Sequence, residues 1–240
     1  VEYAVNNKYG GVENLSLIPG TVGASPIQNI GAYGVELEDV FHSLDAVEIE
    51  TQTKRTFNKE ECRFGYRNSI FKNKLKNNYV ITHVYFSLSK NPKLNYAYAS
   101  LKNEIESLGK DKISIEDIRK SVIKIRMSKL PDPEVLGNAG SFFKNPEMSR
   151  KEFLEIQENI PEIPFYEVGD KIKLPAAWLI DKSGLRGIKK GNVGTSPNQA
   201  LVIVNNGGAT GKEVKEFAIF IKNSVFEKFN IELNPEVNII

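Results

Sequence analysis

Apolar residues at helical spacing, placed directly behind a capping signal, are the clearest pattern along this chain. A Ser or Thr followed three positions later by an acidic residue is typical of a helix start, because each side chain accepts a hydrogen bond from the other residue's backbone N–H. Three such pairs occur: Ser114 with Asp117, Ser149 with Glu152, and Thr210 with Glu213. Together with glycine and proline boundaries, the spacing predicts helices over residues 3–8, 98–108, 114–125, 149–160, 174–181 and 210–229.

Alternating apolar residues predict a smaller number of strands, at residues 43–50, 79–89 and 199–205. In the second of these, one face should carry every other residue: Val80, Thr82, Val84, Phe86 and Leu88. Residues 231–240 are predicted to be an extended terminal segment. Helices and strands do not alternate regularly, so the chain is predicted to be α+β and a Rossmann fold is disfavoured.

Glycine and proline divide the chain. Residues 18–34 are rich in glycine, yet they should form an ordered loop anchored in a core by Val22, Ile27, Ile30 and Tyr33. Pro131 and Pro133 cannot continue the helix before them, so the best domain boundary lies there.

Composition excludes several classes of function. The 240 residues carry a net charge of +2, which gives no global field for nucleic acid or anionic membranes. Cys62 is the single cysteine, so neither an internal disulfide nor a cysteine-built metal site is possible. His42 and His83 have no partners at ligand spacing, and we interpret both as ordinary core or surface residues. The sequence shows neither a membrane-spanning run nor a signal peptide, so a reducing cytoplasm fits best.

Three segments carry residue types suited to chemistry. Residues 137–146, Gly-Asn-Ala-Gly-Ser-Phe-Phe-Lys-Asn-Pro, place Ser141 behind small residues that allow close backbone approach. Residues 20–34 are glycine-rich, and such turns can cradle a diphosphate with their N–H groups. Residues 61–69, Glu-Cys-Arg-Phe-Gly-Tyr-Arg-Asn-Ser, place Arg67 beside Tyr66. Taken singly, a structural serine, a structural loop and a surface ion pair are the ordinary interpretations.

As an ordered set, these segments resemble those of the UDP-N-acetylenolpyruvoylglucosamine reductases (the MurB family, type I). Leu94-Asn95-Tyr96, Lys129-Leu130-Pro131-Asp132-Pro133, Gln199-Ala200-Leu201-Val202 and Leu233-Asn234-Pro235-Glu236-Val237 extend the resemblance. It implies part of a FAD-binding domain of the vanillyl-alcohol-oxidase/PCMH-like type, followed by a smaller α+β substrate-binding domain. The expected boundaries are 1–128 for the second lobe of the FAD-binding domain and 129–230 for the UDP-sugar domain. Residues 231–240 would form a tail that returns to the active site.

The resemblance also implies roles for individual residues. Ser141, Arg67 and Glu236 would be catalytic: Ser141 protonates the substrate carbon, while Arg67 and Glu236 steady the charge that develops beside it. Residues expected at the flavin are Gly23, Ala24, Ser25, Gln28, Asn29, Ile30 and Gly34. Residues expected to contact substrate are Tyr66, Tyr96, Lys129, Asn145 and Gln199.

The expected reaction is the reduction of UDP-N-acetylglucosamine enolpyruvate to UDP-N-acetylmuramate in peptidoglycan synthesis. FAD would be bound tightly and non-covalently, NADPH would be the co-substrate, and the protein is expected to be a cytoplasmic monomer without nucleic-acid or membrane partners. Relatives carry an earlier lobe with a Gly-Gly-Gly-Ser-Asn loop that this chain lacks. We therefore expect these residues by themselves to bind FAD weakly or not at all and to be inactive. There are two alternatives: a non-catalytic UDP-sugar-binding remnant, and another flavin oxidoreductase of the same fold.

Overall fold

The computed structural model describes residues 1–239 and separates the chain into two compact units, Val1–Arg126 and Met127–Ile240. Only the last residue of the expected tail, Ile240, lies outside the described part. Both units mix helices with small antiparallel sheets, so the predicted α+β class is confirmed. Within residues 1–239, no helix combines the length and apolar character needed to cross a bilayer.

The first unit is built around a three-stranded antiparallel sheet and a pair of helices. Its elements are α1 (Glu2–Asn6), β1 (Gly31–Ala32), β2 (Val35–Glu36), β3 (Phe41–Glu48), β4 (Lys54–Asn58), α2 (Lys59–Cys62), β5 (Tyr79–Phe86), α3 (Ala99–Ser107) and α4 (Ile115–Lys129). The last three residues of α4 belong to the second unit. The sheet order is β4-β3-β5, and β1 pairs with β2 in a separate hairpin.

The second unit holds two small antiparallel sheets covered by helices. Its elements are β6 (Gly137–Ser141), β7 (Glu147–Ser149), α5 (Arg150–Asn159), β8 (Tyr166–Val168), β9 (Lys171–Lys173), α6 (Ala176–Lys182), β10 (Lys189–Lys190), β11 (Val193–Thr195), β12 (Val202–Asn205) and α7 (Gly211–Phe229). The sheet orders are β10-β11-β12-β6 and β7-β9-β8. One apolar core joins them, and α7 buries Phe217, Ala218, Ile221, Val225 and Phe229 in it.

The three capping boxes all open helices, as predicted. Asp117 accepts hydrogen bonds from the backbone and the hydroxyl of Ser114 at the start of α4. The Ser149 and Thr210 side chains accept from the third helical N–H of α5 and α7. Local hydrogen bonds, which need no long-range contact, therefore define these helix starts.

Two expectations about apolar faces are wrong. Val22 is 60% exposed instead of buried, and it begins a 3₁₀ turn, Val22–Ala24, that has no buried residue. In β5 the pairing with β3 shifts between Asp45 and Ala46. Because of this irregularity, the residues of β5 that face the core do not alternate regularly along the whole strand. Ile81 packs on the core, while Val80 is 56% exposed.

Candidate functional site

Arg67 occupies a tight turn that determines where its side chain points. Gly65 and Asn68 exchange two backbone hydrogen bonds of 3.1 and 2.9 Å, which leaves Tyr66 and Arg67 as the two central residues. Arg67 has a φ of 50°, in the left-handed region where glycine or asparagine is usual. The backbone is therefore held in an uncommon conformation at the residue expected to bind a carboxylate.

The Arg67 guanidinium is held by groups from its own unit. It donates through Nη2 to the Gly31 carbonyl and through Nη1 to the Glu36 carboxylate at 3.3 Å, and it lies 5.1 Å from the centre of the Tyr66 ring. The sequence motif identified Arg67 and Tyr66 but not Glu36. No local pattern signals Glu36, because it is 31 positions earlier in the chain.

The segment expected at the flavin is ordered by its own hydrogen bonds. Thr21 caps the 3₁₀ turn that contains Gly23 and Ala24, and the Ser25 hydroxyl donates to the Val22 carbonyl at 2.6 Å. Backbone N–H groups in this segment also donate to carbonyls within it, at Ala24, Ser25, Ile27, Asn29 and Ile30. Those five N–H groups are therefore engaged within the segment, and the diphosphate cradle expected from its glycines stays a prediction.

Side chains further along the same segment point into the unit. Gln28 accepts a hydrogen bond from the Lys72 ammonium at 3.1 Å, and Ile30 packs on the core. Asn29 is fully buried and donates to the Gly65 carbonyl at 3.2 Å. Gly34 has a φ of 82° and, with Tyr33 at 51°, forms the two-residue loop of the β1–β2 hairpin. These residues are thus placed by packing, and their contact with a flavin stays a prediction.

One observation fits a nucleotide cofactor near this hairpin. The Arg126 side chain is half buried, and its Nε has no hydrogen-bond partner among the described residues. Burial lowers the pKa of Arg126 and raises that of the Tyr33 hydroxyl, and each group's charge opposes the other's shift. A buried guanidinium N–H without a hydrogen-bond partner is suited to a phosphate or a ring carbonyl. The residues present therefore fit the flavin that the family resemblance implies.

Tyr96 lies in the first unit, and Lys129 ends α4 in the second. Tyr96 packs against the apolar cluster that α3 and α4 share, and Lys129 is the exposed last residue of α4.

Among residues 1–239, no group of three or more His, Cys, Asp and Glu could hold a metal ion. Cys62 is buried, and desolvation raises the pKa of its thiol to about 12, so it is not a nucleophile at neutral pH.

Ser141 ends β6 and is exposed, directly after Gly140 with its φ of 70°. It pairs with Val202 of β12, and the next residue, Phe142, donates its N–H to the Leu201 carbonyl at 2.9 Å. Phe142 and Phe143 are buried in the core of the second unit. The serine is therefore a solvent-facing residue whose position is fixed by the two aromatic residues that follow it.

The carboxyl-terminal segment brings Glu236 beside this serine strand. The Glu236 N–H donates to the Phe142 carbonyl at 2.8 Å, and the Lys144 N–H donates to the Asn234 carbonyl at 2.8 Å. These two bonds flank an antiparallel bridge between Phe143 and Pro235. A glutamate near the end of the printed sequence is thus held by its backbone beside Phe142, the residue that follows Ser141.

Asn145 and Gln199 lie on segments adjoining the serine strand. The Asn145 side-chain oxygen accepts from the Ala176 N–H at 2.9 Å, which satisfies the start of α6 and orients the amide. The Gln199 carbonyl accepts from the Val202 N–H at 3.0 Å in the turn that leads into β12. The second unit therefore holds Ser141, Asn145, Gln199 and Glu236, whereas Arg67 belongs to the first unit.

The chain is similar in sequence to proteins of one family. The family model for the C-terminal domain of UDP-N-acetylenolpyruvoylglucosamine reductase matches residues 132–240. Over its whole length the chain is 47% identical to the UDP-N-acetylenolpyruvoylglucosamine reductase of Flavobacterium johnsoniae, 50% to that of Amoebophilus asiaticus and 45% to that of Pseudomonas aeruginosa. It spans 72%, 71% and 70% of the lengths of these relatives.

A solved structure shares the fold. The chain superposes on the crystal structure of UDP-N-acetylenolpyruvylglucosamine reductase (MurB) from Thermus caldophilus with a TM-score of 0.65. The match covers 99% of this chain and 66% of that one, at 23% sequence identity. At that identity the likeness shows the fold and nothing finer.

Proposed function

Because the chain belongs to the UDP-N-acetylenolpyruvoylglucosamine reductase family, we propose that its protein reduces UDP-N-acetylglucosamine enolpyruvate to UDP-N-acetylmuramate with NADPH and FAD. The product would enter peptidoglycan synthesis. The monomeric state and the cytoplasmic location stay predictions. The observation that supports the proposal most directly is the placement of Glu236 beside the Ser141 strand by the hydrogen bond to the Phe142 carbonyl.

Arg67 would bind the carboxylate of the enolpyruvyl group. A guanidinium is planar and can donate two parallel hydrogen bonds to a carboxylate, so it can orient the group as well as attract it. Negative charge that spreads into this carboxylate during reduction would be stabilised by the same fork. The turn at Tyr66 and Arg67 supplies the fixed direction that this task needs.

Ser141 would supply the proton. It would donate from its hydroxyl to the substrate carbon next to the carboxylate, while Glu236 stabilises the charge that develops there. Because a serine hydroxyl is a weak acid, neighbouring groups must stabilise the oxygen left behind. The exposed position of Ser141 at the end of β6 leaves its hydroxyl accessible to a ligand.

FAD, when bound, would supply the hydride after taking it from NADPH. Residues that would hold it are Gly23, Ala24, Ser25, Gln28, Asn29, Ile30 and Gly34, with Arg126 as an added donor. The UDP-sugar would be held by Tyr66, Tyr96, Lys129, Asn145 and Gln199. Of these, Lys129 offers a positive charge to the diphosphate, and the orientation of the Asn145 amide is already set by the Ala176 N–H.

Anaerobic stopped-flow absorbance on the protein expressed from its complete gene tests this proposal. NADPH should bleach the flavin, and UDP-N-acetylglucosamine enolpyruvate should restore its colour. Ser141→Ala should leave bleaching unchanged and slow recolouring by about two to four orders of magnitude. Ser224→Ala is the matched control, since the Ser224 hydroxyl bonds to Phe220 within α7 and should have no effect on either phase.

The other outcomes separate the alternatives. Flavin that bleaches but is not reoxidised by the substrate would favour a different oxidoreductase of the same fold. A complete gene product that binds UDP-sugars but no flavin would favour the non-catalytic remnant. Wild-type rates in Ser141→Ala would remove Ser141 from the chemistry.

A further inference from the structure

The ion pair between Arg67 and Glu36 is shielded from solvent. The Arg67 side chain is 17% exposed and the Glu36 side chain 27%. Exposed ion pairs contribute little because water screens them and the side chains must be ordered. Here the guanidinium is also fixed by the Gly31 carbonyl on Nη2, so little additional ordering is required to form the pair. The contact is consequently a candidate for orienting the guanidinium.

The second oxygen of Glu36 is used as well. Oε2 of Glu36 accepts from the Asn29 amide nitrogen at 2.9 Å. The orientation of that amide is determined on its other side, because the Asn29 oxygen accepts from the Glu38 backbone N–H at 3.0 Å. Asn29 and Arg67 thus both present donors to Glu36. Only a carboxylate can accept at both of its terminal atoms, since a glutamine would turn an NH₂ group toward one of these donors.

Gly31 shows how closely the backbone approaches this pair. A Cβ at Gly31 would lie 2.8 Å from Nη1 of Arg67 and 2.9 Å from Cγ of Glu36. Gly31 is also paired with Glu36 across the β1–β2 hairpin. The hairpin therefore supplies a carbonyl and a carboxylate from opposite strands to one guanidinium. Backbone pairing, as well as side-chain packing, sets the position of the contact.

From these contacts we propose that Glu36 is a positioning residue for Arg67, acting with Asn29 to hold the guanidinium plane for the carboxylate of the UDP-sugar ligand. The inference rests on the proposed function, because it assigns the carboxylate to Arg67. Glu36 is not a catalytic residue, since it acts through Arg67. Its loss should weaken recognition of the carboxylate while leaving recognition of the nucleotide and sugar intact.

Calorimetric titration of the complete, FAD-loaded protein with two ligands tests this assignment. UDP-N-acetylmuramate carries the lactyl carboxylate, and UDP-N-acetylglucosamine does not. Glu36→Gln should weaken binding of UDP-N-acetylmuramate about tenfold or more and change UDP-N-acetylglucosamine less than about twofold. Glu38→Gln is the control, because Glu38 accepts from the same Asn29 amide, at 3.1 Å, and its replacement leaves the Glu36 carboxylate in place.

The outcomes distinguish this inference from the proposed function. Failure of the wild type to prefer UDP-N-acetylmuramate would overturn the proposed function and the inference with it. A wild-type preference that survives in Glu36→Gln would overturn the inference and leave the function standing. If Glu36→Gln does not fold, Glu36→Asp takes its place: it keeps both acceptors but withdraws them by one methylene. A selective loss for UDP-N-acetylmuramate is again expected, and an equal loss for both ligands counts against the inference.

Discussion

Replacing Leu233 with alanine should loosen the carboxyl-terminal segment that carries Glu236. Leu233 has no exposed surface and lies in the core of the second unit, together with Ile231 from the same segment. Two backbone hydrogen bonds join this segment to the residues that follow β6, those of Glu236 with Phe142 and of Asn234 with Lys144. The buried side chains therefore contribute most of the attachment.

The expected size of the effect follows from the burial. Truncating a fully buried leucine to alanine costs about 2–5 kcal/mol, which combines lost transfer free energy with the cavity that remains. The two backbone hydrogen bonds contribute only about 1 kcal/mol each. A loss of about 3 kcal/mol at Leu233 should therefore raise the population of the detached segment by roughly two orders of magnitude.

Amide hydrogen exchange followed by NMR measures that population. The Glu236 and Lys144 amides report directly, because each donates one of the two bonds that break when the segment detaches. Leu179→Ala is the matched control: Leu179 is equally buried in the same core, but it lies on α6. We expect Leu233→Ala to accelerate both amides more than Leu179→Ala does, even when the two variants have similar global stability.

Equal acceleration in the two variants would refute the reasoning. It would mean that the Glu236 and Lys144 amides exchange only when the whole unit unfolds. The segment would then be an integral part of the unit, and its attachment could not be altered separately from the fold.

Two further predictions concern the first unit. Gly31→Ala should destabilise the protein by about 1–3 kcal/mol and weaken UDP-N-acetylmuramate binding, because the new Cβ would lie 2.8 Å from Nη1 of Arg67. An unchanged melting temperature together with an unchanged binding titration would contradict this prediction. For Asp117, the hydrogen bonds from Lys110 and Ser114 lower the pKa from 3.8 to about 2, so this carboxylate stabilises the fold above about pH 4 and loses that contribution as the pH falls toward 2. Asp117→Asn should cost about 1–2 kcal/mol in urea unfolding at pH 7 and less at pH 3, whereas a cost independent of pH would show that the charge is unimportant.

The helices were predictable because their determinants are local. The boxes at Ser114, Ser149 and Thr210 each close within four residues, and the apolar stripe behind each one requires only the helix period. The main change at α4 was its end, which extends to Lys129. Short-range hydrogen bonds and a regular repeat are the features that a single sequence displays most directly.

The short strands were not predictable in the same way. β6 has the sequence Gly-Asn-Ala-Gly-Ser, which lacks an alternating apolar pattern, and it becomes a strand through pairing with β12, some 60 positions later. In β5 the phase change arises from a pairing irregularity with β3. Both features depend on a partner strand, so no property of the segment itself reveals them.

The candidate site shows the same difference between local signals and long-range contacts. Resemblance to the family's motifs identified Arg67, Ser141 and Glu236, but it did not identify the groups that hold them. Glu36 was missed because its contact with Arg67 spans 31 residues, and Leu233 was not recognised as a core residue that precedes Glu236.

Backbone strain gives a further reason why the site could not be assembled from sequence. Asn29 and Arg67 both adopt a positive φ, 47° and 50°, although neither is glycine. Asparagine adopts this conformation readily, whereas for arginine it costs about 1 kcal/mol or more and persists only where the surroundings determine it. For Asn29 those surroundings are its bonds to Glu36, Glu38 and Gly65, and for Arg67 they are the Glu36 carboxylate and the Gly31 carbonyl. Asn29 and Arg67 therefore share Glu36 as a partner. This is the arrangement expected if the direction of one guanidinium, and not the stability of the turn, is what the local structure maintains.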